Sequence, residues 1–486
     1  MVKRTTAASR KAKSPQARYD AAGTGRRIAS WNPPASGARV ATENTSRLRD
    51  RSRDAARNDW GGSSASQRWV TNLIGVGIRP QFRRVPEGPE RVMVNDLWAD
   101  FVKEADADGV LDFYGIEALV TRTWFDSGEA FIRMRPRPLG LPLKIPLQVQ
   151  VLEGDYCPIS LSTTVWPGLP AGNQIRQGIE LNNYGRRTAY WMYREHPGDA
   201  RTPVSPQQLL RVPASQVLHV FEPTRPGQLR GVSQLSSVLV RLRSAGDLED
   251  SVLDRQKLAN LFMMFVTRQM PPDWDDVDVD AATGLPKFYD PTYGRAVTAM
   301  SPGTSHELLP GEDVKFANPP EAGISHSDYI RTVGLGTAAG ANLPYELHSG
   351  DIRGVSDRTL RMIVLEFRRL AEQRQWLMLI PMMCQPVVEA FCTACVLAGK
   401  ITVSLRDAVC RPTWAPHGWE NIHPLQDPQG RVLEIAAGLR SRSGVISARG
   451  DAREDIDAER ADDKQSEQKL GLTSIANDPT HTPTPL

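Results

Sequence analysis

The stretch from Ser325 to Phe391 constrains this chain most. It opens with a small-residue run from Gly334 to Pro344, passes through a polar segment from Tyr345 to Ser356, and ends in a long amphipathic pattern. Leu360, Ile363, Val364, Phe367, Leu370, Ala371, Leu377 and Met378 recur at helical spacing, with Arg361, Glu366, Arg369, Glu372 and Gln373 on the other side. Ser356 suits the N-cap and Asp357 the positive end of the helix dipole. The first proline, Pro381, comes after roughly 35 Å of helix, and Pro381 and Pro386 are predicted to kink or end it. A helix, a polar loop and a longer helix in series read as a moving part held by a rigid one.

With 486 residues, 40% of them hydrophobic, the chain can bury a sizeable core divided among about two to four domains. The longest apolar runs, such as Leu377 to Cys384, look too short to span a bilayer and contain a proline, and no secretory signal pattern is present. The expected setting is a reducing cytoplasm or a particle assembled there. Five cysteines, an odd number, agree with that. Cys392 and Cys395 have the spacing of metal and redox sites, but no second pair or nearby His pair accompanies them, so they read as small hydrophobes on a buried helix. The net charge of +3 hides an asymmetry: residues 1 to 60 carry +9 and residues 451 to 467 carry −5. Each end reads either as a solvated tail or, for the basic arm, as a contact for a polyanion.

Along the chain, residues 1–18 are expected to be disordered, and Leu48 to Asp59 to form a helix of alternating charge on the surface. Trp69 to Phe82 predicts a helix running into a strand, and Asp96 to Ala107 another helix. From Asp112 the pattern gives a helix, a turn at Ser127 and Gly128, then a strand. Short β-rich runs fill Ile145 to His219, and Ser233 to Val266 returns to helix. Residues 271–323 suggest a β or irregular insertion, and 426–460 short helices. Catalytic patterns are missing. The third glycine of Gly334, Gly336 and Gly340 is one place late for a dinucleotide loop, so helix packing through small residues explains the run better. Ala394 stands where a phosphate loop needs glycine, His306 and Glu307 lack the second zincin histidine, and no nucleophile elbow occurs.

Several phrases in order resemble the lambda-type phage portal proteins from about Tyr19 to Leu472. They include Leu48 to Asn58, Gly75 to Ile78, Asp126 to Glu129, Gln148 to Asp155, Gly178 to Glu180, His219 to Phe221, Arg225 to Ser233, Pro344 to Glu346 and Gly350 with Asp351. Two departures stand out: Val355 to Arg358 replaces an Asn-Tyr-Ser-Ser-like phrase, and His423 replaces an Asp before Pro424.

The resemblance implies an α+β portal-type fold with wing, stem, clip and crown regions, assembled as a ring, usually a dodecamer, with a central channel. Carried onto this chain it implies a wing over 19–230, stem helix 1 over 231–268, a clip over 269–324 and stem helix 2 over 325–344. A tunnel loop would occupy 345–356, a long helix bridging to the wing 357–399, a crown 400–475 and a disordered tail 476–486. His348, Ser349, Asp351 and Arg353 would then face double-stranded DNA passing non-specifically along the channel. The implied role is a conduit and docking platform at the capsid portal vertex of the virion, assembled in the host cytoplasm, without enzyme activity, cofactor, metal or membrane. The implied partners are the terminase large subunit, the major capsid protein and head-completion or adaptor proteins. Two readings compete: a non-ring nucleic-acid-binding protein using the basic arm, and an enzyme whose groups converge from distant positions.

Overall fold

The computed structural model describes residues 37–38, 45–199, 208–260, 264–268, 312–316, 325–419, 421 and 423–471. It is a mixed helix and sheet structure. Helices α1 (Thr45–Asn58) and α2 (Trp60–Leu73) meet at Asp59, whose carboxylate accepts from the Gly61 and Gly62 amides and caps α2. Strand β1 (Arg79–Gln81) and helices α3 (Pro89–Glu104) and α4 (Phe113–Ser127) follow. Gly128 ends α4 at φ 91°, and a Cβ there would also strike the Val232 backbone. Both the left-handed turn and the close chain crossing therefore require glycine.

Strand β2 (Glu129–Pro136) is the centre of a three-stranded antiparallel sheet between β3 (Leu147–Glu153) and a later strand. A four-stranded antiparallel sheet comes between them in sequence, built from β4 (Gln174–Arg176), β5 (Ile179–Leu181), β6 (Arg187–Met192) and β7 (Leu210–Pro213) in that order. Strand β8 (Val217–Phe221) then returns to β2, pairing Phe221 with Glu129 and His219 with Phe131. Helix α5 (Leu239–Asn260) leads to β9 (Met264–Arg268), which pairs antiparallel with β10 (Glu312–Phe316). Helix α6 (Ser325–Gly340), short helix α7 (Tyr345–Ser349) and α8 (Asp357–Arg374) come next. A π-helical segment (Gln375–Cys384) joins α8 to α9 (Gln385–Leu397). Helix α10 (Val403–Val409), strand β11 (Thr413–Ala415) and helices α11 (Gln426–Ala436), α12 (Arg442–Ser447) and α13 (Arg453–Leu470) follow among the described residues.

One large apolar core joins α2, α3, α4, the β2 sheet, the start of α5 and the α8 to α9 helix. Trp98 sits within about 5 to 6 Å of the Phe82, Phe101, Phe113 and Phe391 rings, so the N-terminal and C-terminal parts share a single aromatic cluster. Strand β11 pairs with β1, matching Arg79 to Ala415, and closes the same circuit. A second cluster, around Phe131, Ile179, Tyr190 and Val212, lies between the two sheets.

Three expectations need correction. Pro381 does not end or sharply break the long helix, which runs unbroken from Asp357 to Leu397. Proline lacks the amide that would reach the Leu377 carbonyl, and the helix widens there instead: the Gln385 amide bonds to Ile380, five residues back. This helix is long and apolar enough to cross a membrane by length and composition, yet 56% of its most apolar window is buried inside the chain. Helix α5 starts later and ends earlier than Ser233 to Val266, because Met264 to Arg268, rich in β-branched and aromatic residues, pairs as a strand with Glu312 to Phe316. Helix α1 is not a plain surface helix, since Arg49 and Ser52 are buried. All five cysteines are free and buried, with Cys392 and Cys395 on α9 as apolar residues. The basic arm, most of the 269–324 insertion and the tail from 476 lie outside the described residues.

Candidate functional site

The polar segment after α6 is packed against its neighbours at both ends and hydrogen-bonded within itself in its middle. Small residues let α6 approach its neighbours: a Cβ on Gly334 would meet the Tyr345 ring, and one on Gly340 would meet Val238. Asn342, at φ 56°, turns the chain out of α6, and the Trp69 indole donates to the Ala341 carbonyl at 2.9 Å. The segment is helical at first, not a loop throughout, because Tyr345 to Ser349 form α7 and Gly350 closes it at φ 73°. The non-helical part is thus 350–355, with Gly350 and Gly354 both left-handed and with open space where a Cβ would stand. Ser356 then caps α8 by accepting from the Thr359 amide at 3.2 Å, as its sequence position predicts.

The four residues expected to face DNA divide into two groups. His348 points inward and is 3% exposed, with its ring 5.8 Å from that of Trp60. The Ser64 hydroxyl donates to the His348 carbonyl at 2.6 Å, pinning α7 to α2. Burial lowers the His348 pKa, so the imidazole sits there neutral. In the isolated chain its side chain is turned away from solvent, unlike the exposed Arg353. Ser349, Asp351 and Arg353 lie at the non-helical segment. The Ser349 hydroxyl donates to the Tyr345 carbonyl at 2.8 Å and accepts from the Asp351 amide at 3.1 Å. Arg353 grips Asp351 through Nε at 2.8 Å and Nη2 at 2.9 Å, and the Tyr345 hydroxyl donates to the same carboxylate at 3.3 Å. The Arg353 side-chain and backbone donors hold the Asp351 carboxyl well below its usual range. The segment therefore presents a closed ion pair, with Arg353 84% exposed, and not an unpaired cation.

The residues that sequence reasoning missed form a buried polar network around Glu129. Arg230, fully buried, donates from Nε to both Glu129 oxygens at 3.0 Å and again from Nη2. Arg49 reaches Glu129 at 2.6 Å and Asp155 at 3.0 Å, while the Gly231 amide donates to Glu129 at 2.9 Å. Remaining Arg230 donors satisfy the Cys157, Gln177 and Gly154 carbonyls. His219 Nε2 lies 3.0 Å from Glu129, and its Nδ1 lies 3.1 Å from Arg187 Nη1. Since arginine can only donate, the neutral imidazole accepts at Nδ1 and donates from Nε2. Burial alone would raise the Glu129 carboxyl, but Arg230, His219 and Arg49 overcome it and hold it well below its usual value. Burial pushes His219 down to about 4 despite Glu129. Phrases noted separately in the sequence, in Leu48 to Asn58, Asp126 to Glu129, Gln148 to Asp155, His219 to Phe221 and Arg225 to Ser233, all meet here. For Glu129 and Arg230 the available signal was a charged residue beside a glycine, at Gly128 and Gly231, whereas Arg49 lies in an Arg/Asp repeat that marks no single residue. Among these groups nothing offers a nucleophile with an activating base, and the network acts as a lock between α1, the β2 sheet and the approach to α5.

The family model for the phage portal protein, lambda family, matches residues 24–375, which takes in the α7 segment, all of α8 and the Glu129 network. The chain belongs to that family. The chain is 23% identical over 376 residues to the probable portal protein of Halomonas phage phiHAP-1, covering 75% of this chain and 69% of that one. It is 22% identical over 490 residues to the portal protein of Escherichia phage N15, covering 93% and 91%. Among solved structures, the neck of a native gene transfer agent particle computed with C12 symmetry aligns over 86% of this chain and 96% of its own, at 14% identity and a TM-score of 0.46. The family is a structural one.

Proposed function

We propose that this portal protein closes into a ring, a dodecamer, at one vertex of a phage head, and that double-stranded DNA passes through its axis. The match of the lambda-family portal model over residues 24–375 carries this reading. In it, 19–230 is the wing, α5 and α6 are the stem, β9 and β10 belong to the clip, 350–355 is the moving part of the tunnel loop, and 400–475 is the crown. The exposed apolar side chains Val240, Leu248, Leu253, Tyr329 and Leu335 on α5 and α6 support it, because ring neighbours would bury them. A conduit has to let DNA slide, and an Asp351–Arg353 pair of zero net charge adds no lasting phosphate clamp. The ring would also dock the terminase large subunit, the major capsid protein and head-completion proteins.

Mass photometry and axial electron microscopy of the purified protein test the ring; a species of one or two subunits under varied salt and concentration refutes it. Removing residues 1–18 should leave assembly intact, whereas the non-ring reading predicts that this removal abolishes the protein's main activity, DNA binding. Deleting Gly350 to Gly354 should leave the ring formed and reduce DNA packaging or retention; normal yields of filled heads would sink the loop assignment.

A further inference from the structure

The cleft between α8 and α11, about 320 Å³ in volume, gathers four guanidinium groups. Arg361 and Arg368 stand seven residues apart on α8, which places both on one side of the helix, and Arg431 and Arg440 face them from α11 and the turn after it. Two acids share the cleft, and both are engaged. Glu434 pairs with Arg440 at 3.2 Å, and Asp427 accepts from the His423 amide at 2.9 Å while its charge bears on Arg368. Arg368 also lies over the Trp419 ring at 5.1 Å, which fixes its position. Arg361 and Arg431 form no ion pair or hydrogen bond among the described residues, and the Arg361 Nε is out of contact with water. Burial lowers the Arg368 pKa and the Arg431 charge adds to that, while Asp427 and Glu372 act against it.

From this cleft, with two engaged and two unpaired arginines drawn from two helices, we infer a binding site for a phosphate group. Planar guanidinium forks suit phosphate oxygens, and two forks from opposite walls can grip one tetrahedral anion from both sides. Sources of that chemistry are the backbone of nucleic acid or a free phosphate compound. The backbone is favoured by place, a step that rests on the portal reading: Arg361 lies only about 7 Å along α8 from its cap at Ser356, where the non-helical loop ends. A phosphodiester held there would sit beside the loop and not in its Asp351–Arg353 pair.

The experiment uses the full-length protein, a fluorescein-labelled blunt DNA duplex, and inorganic phosphate. Anisotropy titrations across a salt series compare the parent with the Arg361→Gln/Arg431→Gln variant. Loss of two phosphate contacts makes the slope of log K against log salt shallower by about 2 and weakens duplex binding on the order of tenfold at low salt. Arg361→Lys/Arg431→Lys, which keeps the charge, should retain the parent slope. An unchanged slope in the glutamine variant overturns the site. Hydrogen exchange on the parent protein gives a reading that needs no variant. Protection of α8 and α11 by the duplex assigns the site to nucleic acid, protection by millimolar phosphate alone assigns it to a free phosphate compound, and no protection by either overturns it. Subunit counting on the same samples separates the two proposals: a parent that forms no ring but shows protection loses the portal reading and keeps the phosphate site.

Discussion

Replacing Glu129 by Gln tests whether the buried network holds the sheet region together. The parent carboxylate faces two arginines that are almost wholly inaccessible, Arg230 and Arg49, plus His219 and the Gly231 amide. Glutamine keeps the shape but removes a charge that touches both arginines, and its amide turns donors toward Arg230, which has only donors itself. Asp155 continues to serve Arg49, so the loss falls mainly on Arg230. Removing one partner of a buried ion pair costs about 3–5 kcal/mol, so that range is expected for Glu129→Gln. Arg369→Gln, which breaks an exposed pair with Glu366, should cost only about 0–1 kcal/mol. Urea unfolding followed by tryptophan fluorescence reads both, because Trp69 and Trp124 lie buried in the adjoining core. The double change Glu129→Gln/Arg230→Gln should cost clearly less than the sum of its single changes, since each removes the same contact. A Glu129→Gln midpoint shift equivalent to less than about 1 kcal/mol would refute the reasoning. The same network sets a pH response. Glu129 has a folded pKa below its unfolded value of 4.5, so its contribution is present above that pH and is lost as pH falls further. His219 falls from 6.5 to about 4 on folding, so the unfolded chain takes up the proton first and stability drops by about 3 kcal/mol between those values.

Three further outcomes are expected. Glu117, wholly buried, accepts from the Ile78 amide at 2.8 Å and from the Cys384 thiol, and burial pushes its pKa up to about 8. The unfolded chain releases this proton near pH 4.5 and the folded chain near 8, so stability falls across that window, and Glu117→Gln should flatten the fall and raise stability at pH 8 by a few kcal/mol in the same urea assay. Trp60→Ala, which removes the ring beside His348, should speed hydrogen exchange of the Tyr345 to Ser349 amides about tenfold while leaving the core amides unchanged; equal exchange in α7 would show that Ser64 alone pins it. Gly128→Ala should lower stability on the order of 2–4 kcal/mol, since it combines a left-handed backbone with a clash against Val232, and a loss under about 1 kcal/mol would contradict that geometry.

What could be read from the sequence was whatever neighbours in the chain decide. The order α4, turn, β2 follows from an Asp cap, a helical stripe and Gly128, all within one short stretch, and the Ser356 cap of α8 is equally local. What escaped depends on partners far along the chain. Arg49 looks like any surface arginine in an Arg/Asp repeat, because Glu129 and Asp155 stand 80 and 106 residues away. His348 reads as a loop residue until Trp60 and Ser64 are folded against it. At Pro381 the local rule was sound but incomplete: a missing amide can be absorbed by a wider turn when core contacts at Met378, Leu379, Met383 and Val387 hold the helix in line. These differences bear on how a portal protein would handle DNA. Strong, oriented charge lies around Glu129, buried and holding elements together, where it cannot grip a passing phosphate. At the non-helical segment the charges neutralise each other at short range. An exposed arginine clamped by its own neighbour must break a bidentate pair before it can hold a phosphate, so a DNA contact at the proposed loop would compete with a bond the loop already has. On the proposed reading that competition would favour brief contacts, the condition for DNA to slide past a rigid frame.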